Sequence, residues 1–314
     1  MLAIVCPGQG SQTPGFLSTW LEQEASAERL NSYAEASGID LKTHGTVSDE
    51  DTIRDTAVAQ PLIVAASLLS AHALGVSELP ADKVLFAGHS VGEVPASALA
   101  GVLSDEQALQ MIAVRAAGMA EASAAAPTAM AAVVGGVEDE VRQAIADAGL
   151  TAANANGPGQ IVAAGSAERI KSLEENAPAR SRVIPLSVAG AFHTEYMAGA
   201  QEKLAAAVGD LQPADAAHTL LSNRDGEIVS SGQEVLDRLV DQVTRPVRWD
   251  LCMEAMKAQG VTGILELLPG GTLTGLAKRG FKGVKSFAVK APEDLDAARE
   301  FIAEHTHAAV SEDS

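Results

Sequence analysis

Short apolar runs alternate along this chain with longer alanine-rich or amphipathic stretches. Leu2 to Cys6 is wholly apolar, ends at the loop Pro7-Gly8-Gln9-Gly10-Ser11-Gln12, and predicts a buried first strand. Val84-Leu85-Phe86-Ala87 predicts another, followed at once by Gly-His-Ser-Val-Gly (88–92) and a helical stretch from Glu93 to Ala100. Ala59 to Leu74 predicts a helix with Pro61 in its first turn. Ser104-Asp105-Glu106-Gln107 is a capping-box pattern, opening a helix that runs to about Ala122 before Pro127 breaks the pattern. Such alternation is that of an α/β protein with a mainly parallel sheet.

Between 125 and 188 the rhythm changes. Ala129–Val134 reads as a strand, Glu138–Ala148 as a helix, Leu150–Asn154 and Gln160–Ala164 as strands, Ala167–Glu175 as a helix and Arg182–Val188 as a strand. That order, β-α-β-β-α-β, is the ferredoxin-like split unit. The larger α/β pattern resumes near Ala191, so 125–188 is expected to be an inserted small subdomain. Residues 1–124 and 189–314 then form the large α/β subdomain.

The 314 residues suffice for a large core. Although 47% are hydrophobic, no uninterrupted apolar stretch approaches the ~20 residues of a membrane span. The N-terminus lacks the basic segment of a signal peptide, which leads us to expect a cytoplasmic protein without a membrane association. A net charge of −19 argues against nucleic-acid binding. Cys6 and Cys252 are too few for a disulfide framework or a zinc site and read as small buried hydrophobes; no metal site is expected. The tail Ser311-Glu312-Asp313-Ser314 reads as a frayed polar end.

A G-x-S-x-G run between strand and helix is the context of a nucleophile elbow. It projects Ser90 at a helix N-terminus, where N–H groups favour developing negative charge. Among seven histidines, His44, His72, His305 and His307 read as solvated, His218 as structural, and His89 as turned away from its neighbour. His193 follows a strand end and precedes a helix; it is either the base or a buried, hydrogen-bonded histidine. Arg115 projects from an apolar helix face beside Met111, Ile112 and Met119, so it is either half of an internal ion pair or a fork for a substrate carboxylate. The main-chain N–H of Gln9 and that of Val91 are candidate oxyanion donors.

Taken together, these segments resemble the malonyl-CoA:acyl carrier protein transacylases of fatty acid and polyketide synthesis over nearly the whole chain. Pro7–Gln12 resembles the family's P-G-Q-G-S-Q, Gln60-Pro61 its Q-P helix start, and Gly88–Glu93 its G-H-S-x-G-E. Arg115 and Met119 stand at the family arginine and methionine, and Asn154–Gln160 resembles N-x-N-x-P-x-Q. Phe192-His193 stands at the histidine motif, Gln242–Trp249 resembles Q-x-x-x-P-V-x-W, and Glu266–Gly270 resembles the late E-x-G-P-G region. Cys6, Val94-Pro95 and Leu268 depart from the commoner family residues without touching a proposed role.

The resemblance implies an α/β-hydrolase-like core with the ferredoxin-like insertion, and ping-pong transfer of malonyl from malonyl-CoA to holo-acyl carrier protein through a malonyl ester of Ser90. It implies that His193 is the base, oriented by the main-chain carbonyl of Gln242, and that Gln9 and Val91 form the oxyanion hole. Arg115 would clamp the malonyl carboxylate, with Met119, Phe192 and Asn156 around the substrate. In related polyketide acyltransferases A-F-H, as in Ala191-Phe192-His193, goes with malonyl rather than methylmalonyl. No resident cofactor is implied, since the phosphopantetheine belongs to the partner; a monomer is expected. Two alternatives remain at this point, a serine thioesterase or esterase and a non-catalytic acyltransferase-like scaffold.

Overall fold

The computed structural model describes residues 1–188 and 190–306, so Ala189, His307 and the segment Ser311–Ser314 lie outside the description. Its strands in chain order are β1 (Leu2–Cys6), β2 (Val84–Gly88), β3 (Thr128–Gly135), β4 (Thr151–Ala155), β5 (Gln160–Ser166), β6 (Ser181–Pro185), β7 (Thr219–Leu220), β8 (Val247–Arg248), β9 (Gly263–Glu266) and β10 (Lys285–Ala288). Five of them form one all-parallel sheet in the order β10-β9-β1-β2-β7. The chain's first strand is thus central, with Cys6 level with Gly88 of β2.

Side chains alternate along a strand, which sorts each apolar run onto two faces. Leu2, Ile4, Cys6, Val84 and Phe86 join a core with the helices Thr56–Leu74, Glu93–Leu99 and Asp105–Ala125. Ala3, Val5, Leu85 and Ala87 join a second core with Trp249–Ala258 and Thr272–Gly280. A sheet covered on both sides needs no polar alternation, which is why these strands read as continuous apolar runs. Cys6 and Cys252 are buried free thiols within these layers.

From Thr128 to Pro185 the elements follow β-α-β-β-α-β, and the four strands lie as β6-β3-β5-β4 with every neighbour antiparallel. A fifth strand has no counterpart in the sequence pattern: β8 pairs in parallel with β4, Asn154 opposite Val247 and Ala155 opposite Arg248. Two residues are too few for a periodic signal. This pairing ties the chain beyond 189 into the second sheet, next to Asn154 and Asn156.

Local expectations shift where side chains act at element ends. The capping box forms as expected, Gln107 N–H on Ser104 Oγ at 3.1 Å and Ser104 N–H on Gln107 Oε1 at 2.9 Å. The helix before the elbow starts at Thr56 rather than Ala59, because Asp55 caps it by accepting the Ala57 N–H at 2.8 Å. Pro61 therefore sits in the second turn, not the first. That helix is long and apolar enough to cross a membrane by composition, yet most of it is buried in the protein interior. β6 ends at Pro185 instead of Val188, with one further bond beyond it, from the Leu186 N–H to the Met130 carbonyl at 2.9 Å. His305 is not solvated: the helix Leu295–Thr306 packs against the sheet, and the ring lies against Phe301 with Nδ1 2.9 Å from Thr262 Oγ1.

Candidate active site

The turn after β2 is dictated by how closely the backbone passes itself. A Cβ on Gly88 would lie 1.9 Å from the Gly92 carbonyl oxygen, and one on Gly92 would lie 2.2 Å from that of Cys6. Neither glycine adopts positive φ; the left-handed residue is Ser90 itself, at φ 54°. Such a conformation costs a non-glycine residue of order 1–3 kcal/mol and persists only where its surroundings hold it. Here they do. The Ser90 N–H donates to Asn223 Oδ1 at 2.7 Å, and the Ser90 carbonyl accepts from Gln242 Nε2 at 3.0 Å. His193 is also left-handed, at φ 62°.

Ser90 Oγ lies 2.7 Å from His193 Nε2, and His193 Nδ1 lies 2.8 Å from the Gln242 main-chain oxygen. A carbonyl can only accept, so the network assigns the proton to Nδ1 and leaves the Nε2 lone pair to take the Ser90 hydroxyl proton. The imidazole is 3% exposed. Burial first, then the charges of Arg115 and His89, push its pKa down to about 3 against the opposing pull of the Gln242 carbonyl. It is a neutral base at neutral pH. No carboxylate bonds His193 among the described residues, so the acid of a hydrolase triad is replaced by a main-chain carbonyl.

Arg115 is 1% exposed in the middle of Asp105–Ala125. Its Nη1 donates to Gln60 Oε1 at 2.6 Å and its Nη2 to Gln242 Oε1 at 2.7 Å, while Nε is buried with no partner. An internal ion pair, one of the two readings of this residue, is absent among the described residues: two neutral amide oxygens face the guanidinium. Burial lowers its pKa to about 10, against the nearby Glu93 charge, so it stays protonated. Met119 Sδ accepts from Gln60 Nε2 at 3.5 Å and so helps turn the Gln60 oxygen toward Arg115.

A cavity of about 280 Å³ opens onto Ser90 between the two sheets. Gly8, Gln9, His89, Ser90, Phe192 and His193 border it from the parallel-sheet side, and Met130, Asn154, Asn156 and Val162 from the second sheet, with Arg279 at its edge. Asn156 Oδ1 lies 2.8 Å from His89 Nε2, which occupies His89 away from the nucleophile. Gln9 is tethered through its side chain to Thr56 Oγ1 at 3.2 Å. The Val91 side chain belongs to the core, and Val91 does not border the cavity. Arg115 and Met119 do not border the cavity; Arg115 reaches the dyad through Gln242. A larger cleft of about 740 Å³, lined by Glu28, Arg29, Tyr33 and Asp105, contains no serine–histidine pair and lies apart from this chemistry.

The fold agrees with what known proteins show. The chain matches the acyl transferase domain over residues 3–310. It belongs to the acyl transferase family. Over 297 residues it is 49% identical to the malonyl CoA-acyl carrier protein transacylase of Mycobacterium tuberculosis, covering 94% of this chain and 98% of that one. The crystal structure of MCAT from Mycobacterium tuberculosis superposes with a TM-score of 0.91 at 48% identity, covering 95% of this chain and 99% of that one. A malonyl-transacylase in complex with its type II PKS acyl-carrier protein superposes with a TM-score of 0.89 at 30% identity, covering 95% and 99%. This acyl transferase is thus grouped with the malonyl CoA-acyl carrier protein transacylases.

Several residues of the site carry no signal of their own in the sequence. Asn223 stands just beyond the two-residue strand β7, yet it holds Ser90 N–H, donates to the Gly88 carbonyl at 2.7 Å and presents its own N–H to Glu93. Its place past the carboxyl end of a parallel strand is the one general clue. Gln60 and Glu93 read as parts of motifs, not as side chains aimed at Arg115 and Gln242.

Proposed function

We propose that this acyl transferase moves the malonyl group of malonyl-CoA to the phosphopantetheine thiol of holo-acyl carrier protein through a malonyl-Ser90 ester. The observation that carries this reading is the Ser90–His193 pair with Nδ1 held by a carbonyl, beside a buried arginine whose hydrogen-bond partners among the described residues are neutral. His193 Nε2 takes the hydroxyl proton as Ser90 Oγ attacks the thioester carbonyl. The Gln9 and Val91 N–H groups receive the oxyanion, each such donor being worth about 3–4 kcal/mol in comparable sites. The C–S bond breaks and the CoA sulfur leaves with the proton held by His193. The carrier thiol then attacks the ester with His193 as base again, and Ser90 recovers its proton. The reaction draws on no resident cofactor.

A carboxylate reaching Arg115 displaces Gln60 Oε1 or Gln242 Oε1, since an anionic oxygen bonds a guanidinium about twice as strongly as a neutral one. Phe192 on the cavity wall leaves little room for a methyl at C2, although one methyl is worth only ~1–3 kcal/mol. Asn156 lines the path of the pantetheine arm. Acylation by acetyl-CoA, which offers Arg115 no carboxylate, isolates the base. His193 is expected to cause no loss of kcat/KM for acetyl-CoA as pH falls through about 6.5, the ordinary imidazole range, because the folded His193 protonates only near 3. A loss centred near 6.5 in rapid-quench acylation that survives in Glu93→Gln, where no carboxyl titrating near 7 remains at position 93, would contradict a base kept neutral by burial.

The protein is read as a cytoplasmic monomer, with 125–188 as its inserted subdomain. Its acidic surface needs a local basic patch to receive an acidic carrier protein. Lys278, Arg279 and Lys282 are exposed around the end of the helix Thr272–Gly280, and Arg279 borders the cavity mouth. Lys285 is already paired with Glu304, and Lys171 sits 3.9 Å from Glu175. Lys278→Glu with Lys282→Glu is expected to raise KM for carrier protein about tenfold or more while sparing acylation by malonyl-CoA; an unchanged KM moves docking elsewhere.

The direct test of the reading is intact-protein mass after brief incubation with malonyl-CoA. A malonyl adduct that persists alone and vanishes on adding holo-carrier protein is the expected result. Free malonate accumulating without an adduct would make the protein a hydrolase.

A further inference from the structure

Behind Ser90 lies a carboxylate that the reaction does not use. Glu93 is 6% exposed, and each of its oxygens has one donor: the Asn223 N–H on Oε1 at 2.6 Å, and Gln242 Nε2, in close contact, on Oε2. Neither donor stops at Glu93. The Asn223 side chain bonds the Ser90 N–H through Oδ1, and the Gln242 side chain bonds Arg115 Nη2 through Oε1.

We propose that Glu93 is a positioning residue that sets two parts of the site at once: through Asn223 it holds the strained main chain of Ser90, and through Gln242 it fixes which end of an amide faces Arg115. The inference rests on the reading of Arg115 as the clamp for a substrate carboxylate. An amide side chain is nearly symmetric in shape, so only its hydrogen-bond partners decide where its oxygen points. With both Glu93 oxygens accepting, the Gln242 NH₂ group is committed to Glu93 and the Ser90 carbonyl, and its oxygen has one place left, on the guanidinium. Glu93 and Arg115 therefore form a charge pair bridged by an amide, touching at no point. That arrangement keeps the guanidinium oriented without neutralising it by direct contact. A carboxylate placed directly on Arg115 would instead compete with the incoming anion. Burial raises the Glu93 pKa to about 7, and the Asn223 and Gln242 donors and the charges of Arg115 and Arg238 oppose that rise, favouring the carboxylate that accepts twice.

Glu93→Gln keeps size and shape but offers one acceptor oxygen where two are needed, so an N–H donor is left facing another donor. Where the new NH₂ faces Gln242, relief comes if Gln242 turns its own NH₂ toward Arg115, which removes the guanidinium's anchor and the donor to the Ser90 carbonyl. Acylation rates are measured with malonyl-CoA and acetyl-CoA, next to Arg115→Ala, with far-UV circular dichroism and thermal melting as the control on folding. The expected result for folded Glu93→Gln is a malonyl:acetyl ratio of kcat/KM reduced at least tenfold, mainly through KM for malonyl-CoA. A merely structural role would lower both substrates together and leave the ratio in place, which would overturn the proposal. If Glu93→Gln does not fold, Glu93→Asp carries the same test, because its charge is withdrawn by one methylene from both donors; an unchanged ratio there counts equally against the proposal. Should Arg115→Ala itself leave the ratio unchanged, the clamp reading fails. Should it collapse the ratio while the Glu93 variants do not, the failure belongs to Glu93 alone.

Discussion

Ser90→Ala is expected to abolish the malonyl adduct and to lower transfer to carrier protein by about 10⁴-fold or more, with the fold intact. On the proposed mechanism, removing Oγ removes the atom that would carry the ester between the two half-reactions, and His193 is left without the hydroxyl 2.7 Å from its Nε2. The loss is chemical because the backbone at position 90 is held by groups the substitution does not touch. Asn223 Oδ1 still accepts its N–H, Gln242 Nε2 still donates to its carbonyl, and alanine pays a strain in the left-handed conformation similar to that of serine. Melting temperature should therefore change little. Intact mass and single-turnover transfer, run on the same preparation, check both statements. An adduct surviving in Ser90→Ala would place the nucleophile elsewhere, and transfer without any adduct would mean direct attack by the carrier thiol.

Arg115→Ala carries the second large effect. We expect kcat/KM for malonyl-CoA to fall about 10³-fold, equivalent to about 4 kcal/mol, while acetyl-CoA is affected far less. If Arg115 clamps the substrate as proposed, truncating it costs more than losing a surface contact, because the substrate's carboxylate would then be buried without a partner. Two side effects are built into the geometry. Gln60 Oε1 and Gln242 Oε1 lose their donor, an unsatisfied-acceptor cost of ~1–3 kcal/mol each that should appear as lower thermal stability. The Arg115 charge also helps hold the His193 pKa down, so its removal should let that pKa rise and bring the acid limb of acetyl-CoA acylation closer to neutral pH. Arg115→Lys is not expected to restore activity, since a single ammonium cannot reach both glutamines or grip a carboxylate bidentately. Parallel acylation with the two thioesters checks the ratio. Equal losses on both would mean that Arg115 braces the fold and recognises nothing.

Much of this protein was legible in the order of its residues, for a physical reason: the features concerned are local. Strands buried on both faces must be continuously apolar, so β1 and β2 stand out in the sequence. The elbow needs glycine at 88 and 92 because backbone passes within 2.2 Å of where each Cβ would be. A capping box spans four consecutive residues, and Ser104–Gln107 formed as written. Errors fell where a cap shifted an end, at Asp55, at the end of β6, and at His305, whose burial depends on what its helix packs against.

The sequence by itself determined the class of fold and singled out Ser90 and His193 as a candidate pair. Only the tertiary structure decided which groups converge. Residues 60, 93, 115, 223 and 242 lie on separate elements, and no periodicity relates them; packing alone brings their polar ends within hydrogen-bond reach. It likewise decided that Arg115 faces two neutral oxygens and not a carboxylate, and that His193 is neutral. Protonation and pairing follow from burial and from neighbours in space, quantities that an order of residues along a chain does not contain.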